Sequence, residues 1–387
     1  MSKNEEFEIL KNEAKILTVI GTRPEAIKMA PLIDAIGKNP QVENQICFSG
    51  QHQLLFEQVK EIFQIKPDYK LDIFEPEQSL NLLLSKLVKN ISEILITNQP
   101  DMILVHGDTT TALGAALAAA NLNIPISHVE AGLRTYNLKA PFPEEMNRQM
   151  ISKLATYHFA PTELNRDNLL NEKINQENIF VTGNTVVDSI QIVQEKLLNY
   201  PESKIKDQLE ELLNTRITEF ILVTGHRREN HGEGIKEICD ALLELSSEYP
   251  EIQIIYPVHL NPNIFNPVTS LLSGKANIFV MPPQDYLTFA WLMKNCKFIL
   301  TDSGGIQEEA PTLGKKVLLM REQTERPEAI DNGCCIMVGA NRETIVLEGS
   351  KLIKDKSQIL GLNQTHPFGK VGASERIANL LNSILLK

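Results

Sequence analysis

Two groups of residues in this sequence have types and spacings suited to chemistry on a charged, hydroxyl-rich molecule. The first is Ser303-Gly304-Gly305, between the run KFILTD and the helix-forming stretch IQEEAPTLGK. Phe298 to Leu300 predict a buried strand, and the two glycines let the chain turn tightly into a helix and bring bare amides close to a ligand. Ser303 is the expected N-cap. First-turn amides lack partners within their own helix and sit at its positive end, so an anionic diphosphate is the natural guest. Glu309, six residues beyond Ser303, then stands about a turn and a half away, a reach that suits sugar hydroxyls. The plainer alternative is a Ser-Gly-Gly turn that only caps a helix.

The second group is acidic. Asp108 in HGDTTT and Glu130 in HVEAGLR end apolar strands, and Glu144 in PFPEEMNRQ opens a helix with Glu145 and Arg148. Asp108 can equally cap an Ala-rich helix, and acids in a first turn can serve the helix dipole. Convergence of the three on one rim would drive their pKa values apart into acid and base roles. Arg23 and Lys28 in GTRPEAIK follow the first strand and suit anion contacts, or else an ion pair with Glu25. His226, beside Arg227 and Arg228 in TGHRREN, is a proton donor or phosphate contact, whereas His259 reads as structural. Gln284 and Phe289 in PPQDYLTF offer a seat for a flat base, the ordinary role for Phe289 being core packing. Glu325 and Arg326 begin a further loop over the same edge. No HExxH, GxSxG or GxxxxGK[ST] occurs, which removes most support for metal hydrolysis, serine nucleophiles and P-loop chemistry.

Strand-helix alternation from Lys15 onwards must position these groups. Short apolar strands are expected at ILTVIG, QICFS, MILVH, ISHV and HFAP, then at FILVTGH, IQIIYPVH, NIFVMP, KFILTD, VLLM and CIMVG. Between them lie helical patterns such as SLNLLLSKLVKNISEILI and the Ala-rich TTALGAALAAANL, which should pack closely on a sheet. The fold class is therefore α/β, with two parallel-sheet domains at residues 15–188 and 189–365. The polar stretch Asn178–Asp188 closes the first, and an amphipathic helix in 366–387 is expected to pack back across the junction. Ligands of open parallel sheets bind beyond the carboxyl ends of the strands. Two facing sheets would bring GTRPE, HGDTT, HVEAG, TGHRREN, PVHLN and DSGG into one cleft.

Length and composition bound the rest. At 387 residues, 42% hydrophobic and 22% charged, the chain has the make-up of a soluble two-domain protein without a bilayer-spanning run. The first fourteen residues are charged and lack a secretory core. Cys47, Cys239, Cys296, Cys334 and Cys335 are odd in number and show no metal-ligand spacing, which points to a reducing, cytoplasmic setting with no metal. A net charge of -11 argues against nucleic acid as a partner.

Nine motifs, GTRPEAIKMAPL, VHGDTT, HVEAGLRT, PEEMNR, TGNTVVD, TGHRRE, YPVHLNPN, LTDSGGIQEEAP and TERPEA, resemble in order and spacing those of the non-hydrolysing bacterial UDP-N-acetylglucosamine 2-epimerases. The match runs over nearly the whole chain from Lys15. The resemblance implies the glycosyltransferase-B architecture, with two Rossmann-like domains around a cleft, usually in a homodimer, and no metal or nicotinamide cofactor. It implies interconversion of UDP-GlcNAc and UDP-ManNAc through elimination of UDP to a 2-acetamidoglucal and re-addition, in surface polysaccharide synthesis. It further implies that Arg23, Lys28, Ser303, Gly304, Gly305 and His226 contact the diphosphate and leaving group. Gln284 and Phe289 would meet the uracil, Glu309 the ribose, and Arg326 the nucleotide sugar. Asp108, Glu130 and Glu144 match the family's catalytic carboxylates, with Arg148 and His226 as partners. A hydrolysing relative that releases free ManNAc, and a glycosyltransferase of the same fold, are the alternatives. Two departures stand out. Leu54 ends the run Gln51-His52-Gln53-Leu54, and Glu77 stands where a cation is expected, in the region where many members build a second, activating UDP-GlcNAc site. Lys370 and Val371 replace the usual acidic and glycine positions of the closing motif.

Overall fold

Unbroken apolar runs become parallel strands covered on both faces. The computed structural model describes residues 13–50, 59–60, 62–75, 77–199, 202–225, 227–355 and 366–386. His226 and the run Gln51 to Leu54, singled out above, lie outside the described residues. The chain divides into two compact units, Met1–Asp188 with Gly369–Lys387, and Ser189–Phe368.

In the first unit, β1 (Ala14–Ile20), β2 (Val42–Phe48), β3 (Tyr69–Lys70), β4 (Met102–His106), β5 (Ile126–Val129), β6 (Tyr157–Ala160) and β7 (Ile179–Val181) lie in the order β3-β2-β1-β4-β5-β6-β7, every pair parallel. The helices are α1 (Arg23–Gly37), α2 (Leu80–Asn98), α3 (Thr110–Asn121), α4 (Glu144–Leu154), α5 (Glu163–Asn171) and α6 (Thr185–Asn199), the last shared with the second unit. The chain starts at mid-sheet, works out to one edge and returns to build the other, so its direction reverses between β1 and β4. The turns after these two strands open at that reversal, where open α/β sheets take their ligands. Leu83, Leu87, Ile91 and Leu95 form the buried stripe of α2, each contributing roughly 1.5–3 kcal/mol. The Ala-rich α3 lies so close that a Cβ on Gly114 would sit 2.7 Å from that of Leu87. The stretch 178–188, read from sequence as polar, holds the short edge strand β7 and the start of α6.

The second unit repeats the plan. It runs α7 (Glu202–Leu213), β8 (Phe220–Thr224), α8 (Glu233–Glu248), β9 (Gln253–Pro257), α9 (Pro262–Leu272), β10 (Ile278–Met281), α10 (Tyr286–Asn295), β11 (Ile299–Thr301), α11 (Gly304–Thr312), β12 (Val317–Leu319), α12 (Pro327–Asp331), β13 (Cys335–Met337) and α13 (Arg342–Lys354). Its parallel strand order β10-β9-β8-β11-β12-β13 puts the reversal between β8 and β11. Ile235, Ile238, Cys239, Leu242 and Leu245 recur at helical spacing along α8 and fill the core beneath β8 and β11 with Phe298 and Leu300. All five cysteines are free and buried. The last helix, α14 (Ala373–Leu385), returns to the first unit against α1. Asp188 accepts from the amides of Gly372 (2.6 Å) and Ser374 (2.7 Å) there. Among the described residues no helix is long and apolar enough to cross a membrane.

Candidate active site

In the first unit the site grows from two strand-end turns. After β1, Thr22 caps α1 in a capping box with Glu25. Glu25, only 2% exposed, also accepts from the Gly21 amide (3.0 Å) and from the Thr109 hydroxyl (2.7 Å). It thereby ties the β1 turn to the β4 turn rather than pairing with Lys28 or Arg23. Burial pushes its carboxyl up to about 7, against the hydrogen bonds that lower it. After β4, Thr109 and not Asp108 caps α3, its hydroxyl accepting from Ala112 N at 3.0 Å. Asp108 is thus released from the capping role that spacing alone allowed. It takes an ion pair from Arg148, while Asn147 donates to its carbonyl at 2.8 Å.

Arg148 is itself held at 3.0 Å by Glu145, a fully buried acid that accepts from the amides of Thr135 (2.9 Å) and Tyr136 (3.0 Å). Glu144, its neighbour, is half-buried at the first position of α4. Glu145 thus organises the arginine. Glu130 follows β5 with φ of 62°, a left-handed conformation that costs a glutamate energy and that its surroundings must enforce. Its Oε2 forms a buried ion pair with Lys28, accepts from Asn184 at 3.0 Å, and lies 3.6 Å from His106 Nε2. Its Oε1 lies toward Gly107, beside Asp108, 3.8 Å from where a Cβ would stand. His128 donates to the Gly107 carbonyl at 2.7 Å and braces that turn; burial lowers its pKa to about 3, so it stays neutral. Arg23, half-buried, opens α1 on the same edge.

In the second unit the corresponding turn follows β11. Ser303 occupies the N-cap position of α11, yet its side chain makes no capping bond, so capping does not explain the Ser-Gly-Gly turn. Gly304 makes room for the arginine packed over the turn: a Cβ there would fall 2.9 Å from Arg326 Nη1 and 3.4 Å from Glu325 Oε1. Arg326 is gripped by Glu308 (2.5 Å) and Glu325 (2.5 Å), and Glu325 is held in turn by Arg321 (3.1 Å), which also meets Glu229 (3.0 Å). Asp302 accepts from the Arg227 amide (2.9 Å) and from Asn230 (3.1 Å), fastening the loop after β8 to the end of β11. The Tyr286 hydroxyl donates to Glu309 at 3.4 Å, so α10 and α11 meet there. Gln284 bonds the Pro282 carbonyl at 2.7 Å just before α10, and Phe289 is half-buried within that helix.

The model of the family described as UDP-N-acetylglucosamine 2-epimerase matches residues 34–382. The chain belongs to that family. A UDP-N-acetylglucosamine 2-epimerase from Yersinia pestis is 48% identical over 371 residues, covering 95% of this chain and 98% of its own. The crystal structure of the UDP-GlcNAc 2-epimerase from Neisseria meningitidis bound to UDP-GlcNAc superposes with a TM-score of 0.90 at 45% identity, covering 95% of this chain and 100% of that one. The Methanocaldococcus jannaschii UDP-GlcNAc 2-epimerase, in complex with UDP-GlcNAc and UDP, gives a TM-score of 0.85 at 32% identity, with 95% and 99% covered. The two parallel-sheet α/β units are those of these epimerase structures, of the glycosyltransferase-B type.

Within this epimerase-family chain the first unit brings Lys28, Asp108, Glu130 and Arg148 to one sheet edge, and the second collects Ser303, Gly304, Gly305, Glu309 and Arg326 around the start of α11. Sequence reasoning took Glu25 only as an ion-pair partner and Glu145 only as a dipole acid, and missed Asn147, Asn184, Arg321 and Glu308. The T-x-x-E spacing of Thr22 and Glu25 was a usable signal for the first. The others act through partners far apart in the chain, which local spacing does not show.

Proposed function

We propose that the chain interconverts UDP-GlcNAc and UDP-ManNAc, and that Asp108, Glu130 and Glu144 are the acids that move the proton on carbon 2 of the sugar. The observation that carries the reading is the pair of acids at adjoining strand ends: Glu130 held by Lys28 on a strained backbone, and Asp108 held by Arg148. Family membership supports it. The hydrogen on carbon 2 is very weakly acidic, so loss of a well-neutralised UDP must drive the step while a carboxylate in a dry site takes the proton. The C1–O bond breaks with its electron pair leaving on UDP, and carbons 1 and 2 become doubly bonded. Return of UDP to carbon 1, with a proton delivered to the opposite face of carbon 2, completes the inversion, and for this more than one acid is needed.

In this reading the amides at the start of α11 with Ser303, Gly304 and Gly305 take the diphosphate, assisted by Arg23, Lys28 and His226. Arg326 adds a nucleotide-sugar contact, Glu309 takes the ribose, and Gln284 with Phe289 the uracil. Arg148 and His226 partner the acids. Residues 15–188 and 189–365 act as the carboxylate-bearing and UDP-binding domains, in a homodimer that works in the cytoplasm and supplies UDP-ManNAc for surface polysaccharide. The test is incubation of the purified chain with UDP-GlcNAc in deuterated water. Deuterium at carbon 2 together with UDP-ManNAc is expected; free ManNAc as main product would select a hydrolysing enzyme, and unchanged UDP-GlcNAc would remove the proposal.

A further inference from the structure

Building on the epimerase reading, we infer that Asn184 is a positioning residue for proton transfer at carbon 2, holding the Glu130 carboxylate in its reactive orientation. Asn184 is 2% exposed and stands in the turn between β7 and α6. Its amide is used at both ends. Oδ1 accepts from the Val186 amide at 3.0 Å, which fixes which way the group faces and leaves Nδ2 to donate to Glu130 Oε2 at 3.0 Å.

Three groups from three places face that same oxygen: Lys28 from α1 in an ion pair, Asn184 from the β7–α6 turn in a hydrogen bond, and His106 from β4 at 3.6 Å, beyond hydrogen-bonding distance. Gathering them on Oε2 turns Oε1 toward Gly107, beside Asp108. Glu130 needs this support because its left-handed backbone is strained and persists only where its surroundings hold it. The three are not equivalent. Lys28 and His106 are titratable, and the proposed function gives Lys28 a second task at the diphosphate. Asn184 is a neutral donor at every pH, so its bond persists when Lys28 turns to the anion.

The turn that carries it is also pinned. Arg376 of α14 donates to the Thr182 carbonyl at 2.8 Å, a Cβ on Gly369 would come within 3.0 Å of Gly183 Cα, and Asp188 binds the start of α14. The final helix therefore buttresses the residue that aims Glu130, as a precise site requires of its supporting groups.

The experiment compares the full chain with Asn184→Asp and Asn184→Ala. The aspartate variant keeps an acceptor for Val186 but replaces the donor with a second carboxyl oxygen facing Glu130, whereas the alanine variant loses both contacts without adding charge. For Asn184→Asp we expect kcat to fall on the order of 10²-fold, with KM for UDP-GlcNAc within about threefold and a lowered melting temperature, because a second carboxyl is buried against Glu130. Asn184→Ala should lose kcat equally and melt earlier, and it covers the case in which the introduced charge unfolds the turn. Near-wild-type kcat in either folded variant overturns the inference and leaves Asn184 a helix cap. If the wild-type chain puts no deuterium on carbon 2, the epimerase reading falls and this role with it; an active wild type beside an equally active Asn184→Asp sinks the inference alone.

Discussion

The two sheet edges use the same charges in opposite senses. In the first unit, two cations (Lys28 and Arg148) are set against three acids (Asp108, Glu130 and Glu145), and the acids Asp108 and Glu130 stand on strand-end turns while the cations reach them from helices. In the second, two cations (Arg321 and Arg326) meet three acids (Glu229, Glu308 and Glu325), and the arginines stand on the loop after β12. The charges named here thus do not distinguish them; what each edge presents does. The first edge offers carboxylates held in place by cations. The second offers an arginine whose charge is already matched, packed over the amides of a helix start, so attraction for an anion must come largely from those amides.

The comparison predicts opposite failures. Glu130→Gln and Asp108→Asn should each cut turnover by about 10³-fold, measured as deuterium incorporation, while UDP binding measured by calorimetry stays within about threefold. Loss of UDP affinity in both would mean that the acids are scaffolding, and the division between the edges would fail.

Gly304→Ala should do the reverse at smaller amplitude. The added methyl lies 2.9 Å from an Arg326 nitrogen that Glu308 and Glu325 hold in place, so either the guanidinium or the helix start must shift. UDP affinity is expected to fall about tenfold, or roughly 1.4 kcal/mol, with most of the lost kcat/KM appearing in KM. A fall in kcat at unchanged KM would show that this glycine serves the chemistry rather than the anion.

Why these pairs escaped sequence reading while the sheets did not is a matter of range. β4, β8 and β9 are buried on both faces and read as apolar runs such as MILVH and FILVT, whatever lies next to them. β3 has two residues, too short for any pattern, and β7 is an edge strand only partly covered, with Val181 exposed, so it lacks the fully apolar run that marks the central strands. The glycines and acids of the site were visible because turns and strand ends demand particular residues. Lys28 and Glu130 are 102 residues apart, and Glu130 and Asn184 are 54 apart; only the strand order brings them together. Asp108 was legible as an acid at a strand end, but a neighbouring threonine is an equally good cap, and spacing alone does not choose between them.

A third contrast lies in the cores. His128 and His158 are paired neighbours on β5 and β6, and burial lowers their pKa values from 6.5 to about 3 and about 4. Both stay neutral when folded and protonate when unfolded, so the stability they contribute is present above pH 6.5 and lost as pH falls toward those values. Each costs up to about 1.4 kcal/mol per pH unit across its window. Glu25 acts the other way: its carboxyl is raised from 4.5 to about 7, so its contribution is present below pH 4.5 and lost as pH rises through 7. Between pH 6.5 and 4.5 it offsets one histidine, leaving a net slope near 1.4 kcal/mol per unit; below 4.5 that offset ends, but His158 then begins to protonate in the folded chain near 4, so the slope stays close to that value. The two histidines and Glu25 belong to the first unit, whereas Trp291, the chain's one tryptophan, is buried in the second. Acid titration should therefore lower the far-UV circular dichroism before the tryptophan fluorescence changes. Coincident transitions would show that the units unfold as one and that the acid sensitivity is not confined to the first.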